Sequence, residues 1–97
     1  MRRIDCCPIC DLPYEEGHDK PRRKSKHHIF CRVWYPSSTL TVDVCQKCHD
    51  EFNRDYQNMA TRRWSKNECL RYWLIFCQRK GKNANCIYPQ LLSYHNM

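Results

Sequence analysis

Glycine is nearly absent from this chain, with two in 97 residues. The two, Gly17 and Gly81, stand far apart, whereas the dinucleotide-binding fingerprint and the P-loop each need glycines within a few residues of one another, so nucleotide-dependent enzymes of those kinds are excluded. Long apolar runs are missing too. The longest, Tyr72 to Cys77, falls far short of the roughly 20 residues a membrane span needs, and no membrane partner is expected. The basic opening Met1-Arg2-Arg3 has no apolar stretch behind it. No targeting segment is therefore expected, and the cytoplasm is the expected location. Acids are scarce: 10 Asp and Glu face 17 Lys and Arg, for a formal charge of +7. Repeats and low-complexity tracts are absent. At this length there is room for one small domain and no large apolar core, so a staple or a partner is needed.

Cysteine is what the chain has in excess, with nine residues. An odd count fits disulfide pairing poorly, and in the cytosol thiols serve as metal ligands or core residues. Twelve aromatic residues spread along the chain (three Trp, six Tyr, three Phe) argue against a disordered tail. Charge is uneven. Lys20 to Arg32 holds six basic residues and no acid, and Tyr56 to the end holds seven with only Glu68 opposing. Four thiolates on one zinc would lower the net charge by about two and leave the protein basic. Such a surface suits a polyanion, most simply nucleic acid.

The pattern along the chain predicts a small α+β fold. Cys7-Pro8-Ile9-Cys10 reads as a tight knuckle, and Lys20 to Lys26 as a basic exposed approach. His28 to Tyr35 and Leu40 to Val44 read as short strands across a tight connector, cheapest as an antiparallel pair. A helix should begin near Asp43 or Val44, with Asp43 as cap and Gln46 three residues on. Cys45, Cys48, Phe52, Tyr56 and Met59 then share one face. A second helix is predicted from Lys66 to Lys80, capped by Ser65 with Glu68, and stopped by Gly81. Its stripe is Leu70, Trp73, Leu74 and Cys77, widened by Cys69 and Phe76. The tail reads as packing back after Pro89 in a short helical turn. Residues 1–60 are expected to form the core unit and 61–97 a helical extension packed on it.

Two C-x2-C pairs, Cys7/Cys10 and Cys45/Cys48, have the spacing of a tetrahedral zinc site. Cys6 is an alternative to Cys7, with the less usual three-residue gap to Cys10. Cys69 and Cys77 read as core, and Cys31, Cys86 or His18 could serve a second metal. Adjacent His27 and His28 would point to opposite faces of a strand, so one can serve a metal while the other faces substrate. His49 directly follows Cys48, and Asn53 one turn later shares the face of His49.

Together, Cys7-x2-Cys10, Lys26-His27-His28-Ile29 and Cys45-Gln46-Lys47-Cys48-His49-Asp50-Glu51-Phe52-Asn53 resemble the HNH endonuclease family, in its variant with a four-cysteine zinc site. The resemblance covers about residues 6–56. It implies the ββα-metal fold, a hairpin and helix gripping one divalent ion, here with an added C-terminal helix. By this resemblance His28 is the general base, and His27, His49 and Asn53 hold the catalytic ion (Mg, Mn, Ni or Zn). The structural zinc falls to Cys7, Cys10, Cys45 and Cys48. The implied activity is hydrolysis of phosphodiester bonds, in DNA by the family's habit. Arg22, Arg23, Lys24 and Lys26 precede the His pair and Arg54 follows Asn53, where they could hold flanking phosphates. Arg62, Arg63 and Lys66 would extend that surface.

Thr39-Leu40-Thr41 stands where the family has its central Asn, and the Pro that often follows the His pair is missing. The alternative function is therefore a catalytically inactive module on the same scaffold, binding nucleic acid or protein. A homodimer or a partner protein is compatible with the small size. Small proteins of this family are frequent in phages and mobile elements, which implies the cytoplasm of a bacterial or phage-infected cell.

Overall fold

The computed structural model describes residues 5–94, so Met1 to Ile4 and His95 to Met97 lie outside the described chain. Two strands, β1 (Lys24–His28) and β2 (Thr41–Cys45), form an antiparallel pair. Helix α1 (Gln46–Asp55) follows β2 without a linker. After a 3-10 turn at Gln57–Met59 come α2 (Lys66–Arg79), the short α3 (Ala84–Ile87) and a closing 3-10 segment, Pro89–Tyr94. This is a small α+β protein with a ββα-like arrangement at its centre.

The first strand differs from the expected His28 to Tyr35. Its residues are Lys-Ser-Lys-His-His, with Ser25 and His27 turned inward and the lysines exposed. The expected strand is instead loop. Ile29, Phe30 and Cys31 are buried one after another, which no alternating strand allows. Trp34 and Tyr35 then bond back to the carbonyl of Cys31, and Ser38 to that of Tyr35. The hairpin connection thus runs through residues 29–40 as a series of turns rather than a tight link. Register pairs Ser25 with Val44, His27 with Val42 and His28 with Thr41.

The first helix starts later than expected, at Gln46. Asp43 is still in the strand, facing solvent within 3.8 Å of Lys24. Cys45 is the N-cap, its sulfur accepting the Cys48 N–H at 3.4 Å. Gln46 reaches Asp50 at 2.6 Å, one turn on, instead of closing a capping box. The second helix keeps the expected cap. Ser65 Oγ accepts the Glu68 N–H and Glu68 accepts the Ser65 N–H, a reciprocal pair worth about 1 kcal/mol. Gly81 takes the left-handed conformation, φ +75°, just beyond the helix end.

One core joins the strands, the helices and the closing segment. Phe52 of α1 meets His27 of β1 at 4.9 Å, Trp73 of α2 at 5.0 Å and Phe76 at 5.5 Å between ring centres. Leu91 and Tyr88 of the tail are buried in the same cluster, and the Tyr88 hydroxyl donates to the Asp43 carbonyl at 2.7 Å. Met59, expected on the buried face of the first helix, lies beyond its end and is exposed. Among the described residues no helix is long and apolar enough to cross a membrane.

Candidate metal centres

The knuckle and the strand–helix junction bring Cys7, Cys10, Cys45 and Cys48 together, with all four sulfurs within 4.8 Å of one another. Four thiolates at about 2.3 Å from a tetrahedral zinc would stand about 3.8 Å apart. The Cys10 and Cys45 sulfurs are 3.8 Å apart. The group could hold a structural metal such as zinc, and Cys7 rather than Cys6 belongs to it. The knuckle is closed by the Asp11 N–H on the Cys7 carbonyl at 2.8 Å, with Asp11 at φ 64°. The Cys45 N–H donates to the Cys7 sulfur at 3.3 Å. Donation from the Cys48 thiol, helped by backbone N–H groups, holds the Cys7 thiol down at about 4 from its usual 9.0. As the donor, and by burial, Cys48 is pushed up. The pair is set to share a proton that a divalent ion would displace.

Arg22 belongs to this cluster. Its Nη1 lies 3.3 Å from the Cys10 sulfur and 4.0 Å from that of Cys45. Three of the cysteines are buried and Cys10 is half-buried, so the guanidinium covers the most accessible sulfur.

At the other end of the hairpin, a cavity of about 170 Å³ is lined by His27, His28, Cys31, Arg32, Val33, His49, Asn53 and Gln57. His27 is 2% exposed, and its Nε2 has no hydrogen-bond partner among the described residues. The buried Oδ1 of Asn53 has none either. The imidazoles of His27 and His49 meet edge to face at 5.1 Å, and His27 stacks on Trp73 at 4.4 Å. His49 Nδ1 lies 2.9 Å from Ser25 Oγ. Burial pushes all three histidines below their usual 6.5. For His27 the neighbouring His49 and His28 add to this, and for His28 the neighbour is Arg32. All three are therefore neutral at pH 7, the form that ligates metal or accepts a proton. Comparison with known protein families, curated proteins and solved structures finds no match for this chain.

The remaining cations are dispersed and partly engaged. Arg23 bonds the Lys20 carbonyl at 2.9 Å, and Lys24 pairs with Asp5 at 3.0 Å. Arg54 pairs with Asp55 at 3.0 Å, and Arg62 grips Glu68 through two nitrogens at 2.9 and 2.6 Å. Arg63 lies over the Tyr35 ring at 4.4 Å and Lys66 over Phe30 at 5.2 Å. Lys26 is exposed on β1. Exposed pairs of this kind contribute little and exchange readily for other anions. In the stretch Thr39-Leu40-Thr41, Thr41 opens β2 opposite His28 and Thr39 lies exposed in the loop.

Four participants escape the sequence: Ser25, Arg32, Val33 and Gln57. Ser25 reaches His49 only because β1 begins four residues earlier than its apolar content suggests. Arg32 and Val33 line the cavity because the loop folds back. The available signal was the i, i+2 relation of Ser25 to His27.

Proposed function

We propose that this protein is a divalent-metal-dependent endonuclease of the HNH type, hydrolysing phosphodiester bonds, with DNA as the first substrate to try. One observation carries the reading. Two buried polar atoms, His27 Nε2 and Asn53 Oδ1, have no hydrogen-bond partner among the described residues, and both residues line one cavity with His49 and His28. Leaving buried polar atoms unsatisfied costs about 1–3 kcal/mol each, and a cation satisfies acceptors that no donor reaches. His27, His49 and Asn53 would hold that ion, a mixed N and O set suited to Mg, Mn, Ni or Zn. Bound there, the ion would act as a Lewis acid beside the scissile phosphate and the leaving 3'-oxygen. His28, half-exposed at the cavity, takes the proton of the attacking water. Its lowered affinity for protons keeps it neutral and competent at pH 7. The products would be a 5'-phosphate and a 3'-hydroxyl. A structural zinc on the four cysteines would fix the junction of β2 and α1, on which the site is built.

A supercoiled-plasmid nicking assay with Mg, Mn or Ni, run beside an EDTA control and the His28→Ala protein, tests this. Nicking by the parent that is abolished by EDTA, and reduced at least 100-fold in His28→Ala, is expected. Absence of nicking with every ion, together with salt-sensitive plasmid retention, would favour a catalytically inactive nucleic-acid-binding module instead. That second reading draws on the threonines at the position of the family's Asn.

A further inference from the structure

We propose that Ser25 is the positioning residue of the His49 ligand: it accepts the Nδ1 proton and so commits Nε2 to the ion. The inference rests on the metal reading above and specifies which atom of His49 carries it. Ser25 Oγ and His49 Nδ1 are 2.9 Å apart, across the interface of β1 and α1. A neutral imidazole holds its proton on one nitrogen. With the proton on Nδ1, Ser25 accepts it and the Nε2 lone pair is available to a metal. With the proton on Nε2, Ser25 donates and His49 cannot ligate through that atom.

The proposed ion separates the two. Asn53 Oδ1 and His27 Nε2 have no hydrogen-bond partner among the described residues, and both residues line the cavity with His49. An ion held there by His27 and Asn53 can take His49 only through a nitrogen that carries no proton, and Nδ1 is the atom engaged with Ser25. Ligation therefore falls to Nε2 and the proton to Nδ1. The strand accounts for the rest. Ser25 and His27 are two residues apart on the inward face, so the backbone that delivers one ligand also delivers the support of the other. Ser25 is half-buried, and β1 is held at that point by its pairing with Val44. A hydrogen bond of this kind orients the ring and raises its basicity as a ligand.

The test uses the full zinc-loaded chain. Nickel is titrated by calorimetry into the parent, Ser25→Ala and Ser25→Thr proteins. Ser25→Ala should bind about 10- to 100-fold more weakly, with Ser25→Thr close to the parent. Nitrogen-15 NMR of the parent's histidine side chains gives a readout that needs no variant, and the His49 proton should be on Nδ1 with and without nickel. Unchanged nickel affinity in Ser25→Ala, or a proton on Nε2 in the nickel-loaded parent, would overturn the role of Ser25 alone. Failure of the zinc-loaded parent to take up nickel would sink the metal reading and this inference together. Zinc content of the variants, retained at the parent's stoichiometry, shows that they fold.

Discussion

Arg22 sits in a basic run that reads as a phosphate surface, yet its guanidinium lies against the thiol cluster, 3.3 Å from Cys10. A zinc ion with four thiolates carries a net charge of about −2, and a cation beside it lowers the nucleophilicity of the sulfurs. Cys10 is the half-buried member of the four and so the one reagents reach first. Replacing Arg22 with Ala should therefore speed zinc release under N-ethylmaleimide by about tenfold, the equivalent of one charge-assisted hydrogen bond. A zinc-responsive dye follows the release, and equal rates in the two proteins would refute the shielding. The same residue shows where single-residue reading fails. The C-x2-C spacing announces the thiols because ligand geometry constrains local sequence. Nothing local says which of four neighbouring cations will bend towards them.

The elements were legible in proportion to how much their signals were local. α2 carries its start in Ser65 and Glu68, its stop in Gly81, and its face in Cys69, Leu70, Trp73, Phe76 and Cys77, and it forms within one residue of the expected span. β2 shows its branched alternation and lies one residue from expectation. β1 was hidden because its inward positions are Ser25 and His27, polar residues whose neighbours lie on other elements. Ile29 and Phe30 looked like strand, but they turn inward together at the start of a loop. The start of α1 differs from the expected one for a related reason. Asp43 is the usual capping type, but the ligand Cys45 ends the strand and caps the helix at once. The histidine constellation itself was legible, since the adjacent pair and the one-turn spacing of His49 and Asn53 are both local patterns. Ser25, Arg32, Val33 and Gln57 were not, because strand register, loop path and the turn after α1 bring them in.

For the whole molecule, the thiol cluster ties the N-terminal knuckle to the point where sheet becomes helix. Apart from that cluster, contacts such as the ion pair of Asp11 with Lys82 hold the knuckle to the rest. A chain this small has little core to spare, so zinc removal by a chelator should unfold it, measured as loss of far-UV circular dichroism and of plasmid nicking together. Acid should act in the same direction. His27, His28 and His49 bind protons more weakly folded than unfolded, so their contribution to stability is full above about 6.5 and declines as pH falls below it. Cys7, held down at about 4, also favours the folded state only while ionised, and protons compete with zinc for all four thiolates. Urea midpoints at pH 7.5 and 5.5 check the sign, with the lower midpoint expected at 5.5.

The stack of His27 on Trp73, with ring centres 4.4 Å apart and planes 20° from parallel, places an indole against one face of the imidazole proposed to hold the ion. Trp34 and Trp64 lean on each other elsewhere, at 5.4 Å. The protein thus carries a built-in optical gauge for its own occupancy. Nickel or copper entering the cavity should quench the emission of Trp73 in proportion to loading, while Trp34→Phe/Trp64→Phe background removal leaves the signal intact. Emission that ignores a bound ion would mean that the ion had settled somewhere other than at His27.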